Sequence, residues 1–212
     1  MCWSAEVSLN TFIFGVVCAI IVYVLNVVSI YTILIFLSFT SIQLLEYFAW
    51  TYIDDKKINK ILSYIGLLLI FIQLFLINYL SPKKKNSRIL LPAFFIVVVF
   101  FIIFQFKNIT FKMTKGENGH LVWHWLDLPT IWIVILLLFY VIPIIIKEEF
   151  ISTLFIIISI TTSLYYYYEY KTWGTVWCYI SNIAWIFFIL KSVFVLYSNG
   201  NRNTTLRIRL YK

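Results

Sequence analysis

Residues 8–53 read SLNTFIFGVVCAIIVYVLNVVSIYTILIFLSFTSIQLLEYFAWTYI, an apolar run whose single charged residue is Glu46. One helix over that run would be about twice as long as a bilayer core is thick, because a crossing takes roughly 20 residues at 1.5 Å each. The chain must therefore turn back inside it. A tight hairpin near Asn26 to Ser29 is expected. Two spans result, Ser8 to Asn26 and Ser29 to Ile53.

The same reading extends along the chain. Asp54, Asp55, Lys56 and Lys57 close the second span; Ser81-Pro82 and Lys83, Lys84 and Lys85 close a third, Ile58 to Leu80. Further apolar runs cover Arg88 to Phe106, Leu128 to Ile146, Phe150 to Tyr168 and Trp173 to Tyr197, with Lys147, Glu148 and Glu149 between the fifth and sixth. Pro92 falls in the first turns of its helix, where proline is tolerated, and Pro143 is expected to bend the end of helix five. The composition agrees: 62% hydrophobic, 20% aromatic and 12% charged residues, against about 25% charged in soluble domains. The expected fold class is all-α, a polytopic seven-helix transmembrane bundle over residues 1–198 with a basic tail at 199–212.

Basic residues orient the bundle. One side carries Lys83, Lys84, Lys85, Arg88, Lys147 and the tail's Arg202, Arg207, Arg209 and Lys212, against Glu148 and Glu149. On the other side Lys56, Lys57, Lys60, Lys107, Lys112, Lys115 and Lys171 are nearly balanced by acids. Basic residues of short loops stay in the cytoplasm, so the amino terminus is expected outside and the tail inside. The net charge of +8 is then mainly a topology signal, with the tail expected at anionic lipid headgroups and no nucleic-acid partner. An integral, multi-pass location in the lipid bilayer follows.

With that topology the unusual residues gather on the outer side: the opening Met1-Cys2-Trp3-Ser4-Ala5, QLLEYFAW (43–50), GHLVWHWLD (119–127) and WGTVWCYISN (173–182). Gln43, Glu46, Tyr47 and Trp50 recur at i, i+3, i+4 and i+7 and share one helix face. That face is expected to point into the bundle, because a carboxyl in lipid costs roughly 2.5–3.5 kcal/mol at a helix centre. Cys178, Ser181, Asn182 and Trp185 make the matching face of helix seven, and Ser63, Gly66, Ile70 and Gln73 a third stripe. Two meanings are open for Glu46 and Asn182: polar anchors of a ligand, cation or proton site walled by Trp50, Trp177 and Trp185, or hydrogen-bonding groups that hold helices together.

His120 and His124 have a spacing compatible with a metal if their loop is helical, with ligands still to be found elsewhere. The alternative is an interfacial helix anchored by Trp123 and Trp125. Cys2 and Cys178 both fall near the outer side, where a disulfide or two free thiols are open. No retinal is expected, since Lys191 lies about 10 Å too far toward the cytoplasm. No residue is assigned a catalytic role and no cofactor is identified; a metal is possible but not favoured.

The Cys-Trp-Ser-Ala opening, QLLEYFAW, LSYIGLLLIFIQ (62–73), WHWL (123–126) and WCYISN (177–182) resemble a family of uncharacterised multi-pass membrane proteins of bacteria and large DNA viruses. The resemblance implies the membrane architecture and supplies no catalytic residues. The expected function is recognition of a small molecule, lipid headgroup or ion, as a sensor or transporter-like protein, in a polar, aromatic-rimmed pocket on the exoplasmic side formed by helices one, two, three and seven and capped by the Gly119 to Asp127 loop. Its rivals are a metal-assisted lipid hydrolase, with His120 and His124 as ligands and Glu46 as base, and a structural membrane protein.

Overall fold

The computed structural model describes residues 3–26, 28–80, 84–146, 150–194 and 197, and among them the chain is mostly helical. Seven helices follow one another: α1 (Ala5–Leu25), α2 (Ile30–Thr51), α3 (Lys56–Leu80), α4 (Lys84–Phe104), α5 (Thr130–Ile146), α6 (Phe150–Tyr167) and α7 (Trp173–Ser181), the last continuing past a break at Asn182 to give an apolar span of Trp173–Phe194. A short antiparallel hairpin, β1 (Met113–Lys115) and β2 (Leu121–Trp123), stands between α4 and α5 with Met113 opposite Trp123.

The helix ends have local causes. Ser4 caps α1 by accepting the Val7 N–H at 3.3 Å, and Asn26, at φ 52°, ends it in the left-handed conformation that Asn tolerates. Ser29 then caps α2 through the Thr32 N–H, so the turn-back falls where the sequence placed it. Asp55 starts α3 by accepting the N–H groups of Lys57 and Ile58 at 2.9 and 3.0 Å. α5 runs through Pro143 to Ile146.

Four helices, α1, α2, α3 and the long α7 span, are long and apolar enough to cross a membrane; the apolar parts of the other three are shorter. Large apolar side chains face outward along them, among them Ile20, Val24, Leu68, Ile103 and Phe194, each more than half exposed. Water would not tolerate that surface, and lipid would.

The core has two parts. The larger runs between α2, α3, α5 and α7 and up into the hairpin, and the smaller joins α1 and α2 to Trp185 beyond the α7 break. Polar residues sit inside both.

Candidate functional site

On α2, Gln43 and Glu46 are both 0% exposed, with Tyr47 and Trp50 half-buried one turn further along the same face. The α7 face is equally hidden: Cys178, Ser181, Asn182 and Trp185 are all buried. So is the α3 stripe of Ser63, Ile70 and Gln73. Three faces that the residue spacing marks as special therefore meet inside the bundle, which is what the cost of lipid exposure requires.

Glu46 and Asn182 do not meet each other. Asn182 turns to Thr40 instead: its Oδ1 lies 2.9 Å from the Thr40 hydroxyl, which also receives the Trp185 indole N–H at 2.9 Å. The Asn182 amide group donates to the Cys178 carbonyl, and its backbone N–H reaches back three residues to Tyr179, which interrupts α7 here. Gly15 of α1 closes the junction, because a Cβ there would stand 2.5 Å from the Thr40 methyl. α2 and α7 run antiparallel, so pairing Thr40 with Asn182 sets the residues beyond Thr40 beside those before Asn182. Glu46 accordingly falls on the Cys178 side of this junction.

Gln73 ties three helices. Its amide donates to the Ser38 carbonyl of α2 at 3.0 Å and its oxygen accepts the Tyr140 hydroxyl of α5 at 2.7 Å. Tyr140 in turn meets Trp177 edge to face, with centroids 4.7 Å apart, and the Trp177 indole donates to Ser159 of α6. Helix five thus takes a place beside helices one, two, three and seven that residue spacing alone did not give it.

The stretch from Met113 to Leu126 is a lid fastened to the bundle. Asn59 of α3 treats β1 as a neighbouring strand would: its Oδ1 accepts the Met113 N–H at 2.8 Å and its Nδ2 donates to the Met113 carbonyl at 2.9 Å. Thr175 of α7 donates to the Leu121 carbonyl of β2, and Asn118 in the turn donates to Thr172. An exposed Lys171–Asp127 ion pair spans 2.5 Å and adds little by itself.

Trp123 and Trp125 leave the lid and point downward. They stack with centroids 4.9 Å apart and planes 12° from parallel, and they are 2% and 0% exposed. Trp125 rests on Gly66 of α3, where a Cβ would come within 2.6 Å of its ring, and Trp123 rests on Gly174 of α7, where a Cβ would lie 3.1 Å away. They are therefore core residues and not the interfacial anchors expected of WHWL: the segment is a strand running into a 3-10 turn, and bare glycine surfaces admit both rings. Below Trp123 a cavity of about 10 Å³ reaches Tyr140, Trp177 and Cys178, which is room for about one water.

The hairpin also removes the helical spacing on which a two-histidine metal site depended. His120 is buried with its ring edge-on to Tyr167, whereas the His124 Nε2 lies 2.8 Å from the Thr114 hydroxyl. Burial holds His124 below the ordinary imidazole range; Lys112 and Lys171 push the same way and Asp127 opposes them. Among the described residues no three His, Cys, Asp or Glu side chains gather into a metal-binding group, and a zinc site needs at least three. Cys178 is a buried free thiol, while Cys2 and the tail at 199–212 lie outside the described residues.

No protein-family model, no curated protein and no solved structure matches this chain. What the site does has to be argued from its own geometry.

Proposed function

We propose that the chain is a seven-span membrane protein, amino terminus exoplasmic and basic tail cytoplasmic at anionic lipid, that works as a sensor or transporter-like protein through a proton or small cation at Glu46. The four long apolar helices and the three shorter ones support the seven spans. The short helices would be completed by their flanking residues, and the lysine clusters support the direction. The resemblance to multi-pass membrane proteins is proposed on the same footing, and QLLEYFAW, LSYIGLLLIFIQ, WHWL and WCYISN are the segments that meet around Glu46, Gly66, Trp125 and Cys178. Topology has a direct check. A membrane-impermeant amine reagent on sealed, right-side-out vesicles should label Lys107 and Lys112 without detergent and Lys212 only after permeabilisation; the reverse pattern would invert the topology.

The observation that carries the Glu46 reading is its complete burial one helical turn from the equally buried Gln43, under a lid plugged by two tryptophans. An ionisable side chain inside a membrane bundle is costly to keep, and proteins that keep one usually use it. At 0% exposure Glu46 and Gln43 leave no water-sized space against them. A proton or a bare cation fits such a place, and an organic ligand would need the lid to move. Reconstituted in liposomes with an internal pH dye, the wild type should show a response to an imposed pH or cation gradient. Glu46→Gln should lose it while keeping its melting temperature within a few degrees. Equal responses from the two proteins would remove Glu46 from the mechanism.

The structural reading has an observation of its own, the Gly15–Thr40–Asn182–Trp185 junction, where the Thr40 hydroxyl, the Asn182 Oδ1 and the Trp185 indole N–H join α2 to the α7 span. We assign Asn182 and Trp185 to holding the bundle and keep the ligand role for Glu46.

A further inference from the structure

We propose that a groove beside the lid binds a phosphate-bearing anionic lipid, with the headgroup among four lysines and an acyl chain running down α3. The proposal rests on the membrane reading above and concerns a site separate from Glu46. The groove has a volume of about 740 Å³ and lies between the first turns of α3 and the segment joining α4 to β1. Lys56 and Lys60, one helical turn apart, line it from α3, and Lys107 and Lys112 line it from the facing segment. All four are exposed, and no acidic side chain lines the groove.

The nearest acids in sequence, Asp54 and Asp55, stand before α3, and Asp55 is engaged by the backbone N–H groups of Lys57 and Ile58. Among the described residues none of the four lysines has a carboxylate partner; the ion pair there is Lys171–Asp127. Four ammonium groups around one groove repel one another, and an anion seated between them relieves that repulsion. The wall is apolar: Tyr64 and Phe111 stack at 3.9 Å, packing the α4–β1 segment onto α3.

The choice of a lipid over a soluble phosphate follows from what adjoins the groove. Immediately below Lys60 on α3, Ile61, Ile65 and Leu68 are 50%, 41% and 57% exposed. The α4 residue Ile103, at the end of that helix's apolar run, is 58% exposed. The groove therefore sits where apolar helix surface gives way to lysine, the level of a headgroup in a bilayer. An amphiphile matches both halves, whereas a soluble phosphate matches only the upper one.

The test is native mass spectrometry of the full chain purified from bilayers of equal phosphatidylglycerol and phosphatidylcholine, counting lipids retained. Wild type should retain phosphatidylglycerol in preference. K56Q/K60Q/K107Q/K112Q should lose at least about tenfold of that preference, and the corresponding four arginine substitutions should restore it. If the fourfold glutamine variant does not fold, K107Q/K112Q carries the test, since both residues are exposed and outside the α-helices; it should lose a clear part of the preference.

No preference in wild type, or full preference in the glutamine variants, overturns the site. Displacement of the retained lipid by an equal concentration of soluble glycerol phosphate shows a phosphate site without lipid and overturns the lipid assignment. Carbonate extraction separates the two readings. A chain stripped from membranes overturns both, whereas a chain that stays in the membrane without the preference overturns only the lipid site.

Discussion

Trp125→Ala is expected to cost about 3–5 kcal/mol of stability, the range for removing a large aromatic from a packed core. The ring is fully buried, stacked on Trp123 and seated on Gly66, so its loss opens a hole between lid and bundle that neither helix backbone can fill. Thermal or denaturant unfolding in detergent measures it. Gly66→Ala alone should also destabilise, because a Cβ there meets the Trp125 ring at 2.6 Å. In the Trp125→Ala background the same methyl occupies vacated space and should recover part of the loss. That non-additivity separates direct packing from a general weakening of α3. A Trp125→Ala protein within about 0.5 kcal/mol of wild type would mean that the lid is not plugged into the bundle.

Asn59→Ala should release the lid while leaving the helices in place. Asn59 satisfies both backbone groups of Met113, which is 0% exposed, and its Nδ2 also reaches the Ile53 carbonyl. Removing the amide strands buried polar backbone, at roughly 1–3 kcal/mol for each orphaned group. The expected readout is faster proteolysis between Lys107 and Lys115 with an unchanged helical circular dichroism spectrum. Asn59→Asp retains the acceptor for the Met113 N–H and loses the donor, so it should fall between alanine and wild type. Unchanged proteolysis of Asn59→Ala would show that Thr175 and Asn118 hold the lid without it.

The helices were legible in the sequence because an apolar run limited by bilayer thickness leaves few places to turn, and charged clusters such as Asp54 to Lys57 mark where a span ends; the caps at Asn26, Ser29 and Asp55 came from the structure. The buried faces of α2 and α7 were legible for a related reason, since residues spaced at i, i+3, i+4 and i+7 share a side whatever packs against it. Which face meets which was not. Asn182 pairs with Thr40, which leaves Glu46 on the Cys178 side, because of an axial offset between two helices far apart in sequence, and no local pattern records that offset. The lid was hidden too: strands of three residues are too short to show alternation, and Trp-His-Trp-Leu reads as an interfacial motif until Gly66 and Gly174 are seen beneath it. Asn59 carried no signal, since a polar residue in the first turn of a helix is ordinary until a strand lies across it.

The claim at the centre of the proposed function is that Glu46 is an enclosed carboxyl able to exchange a proton or cation. Infrared difference spectroscopy of the protein in bilayers, recorded across an acid titration in light and heavy water, addresses it directly. The expected result is a carboxyl band slow to exchange its proton for deuterium, present in wild type and absent in Glu46→Gln. The same spectrum from both proteins, or a Glu46 band that exchanges at once with solvent, would contradict the enclosed site.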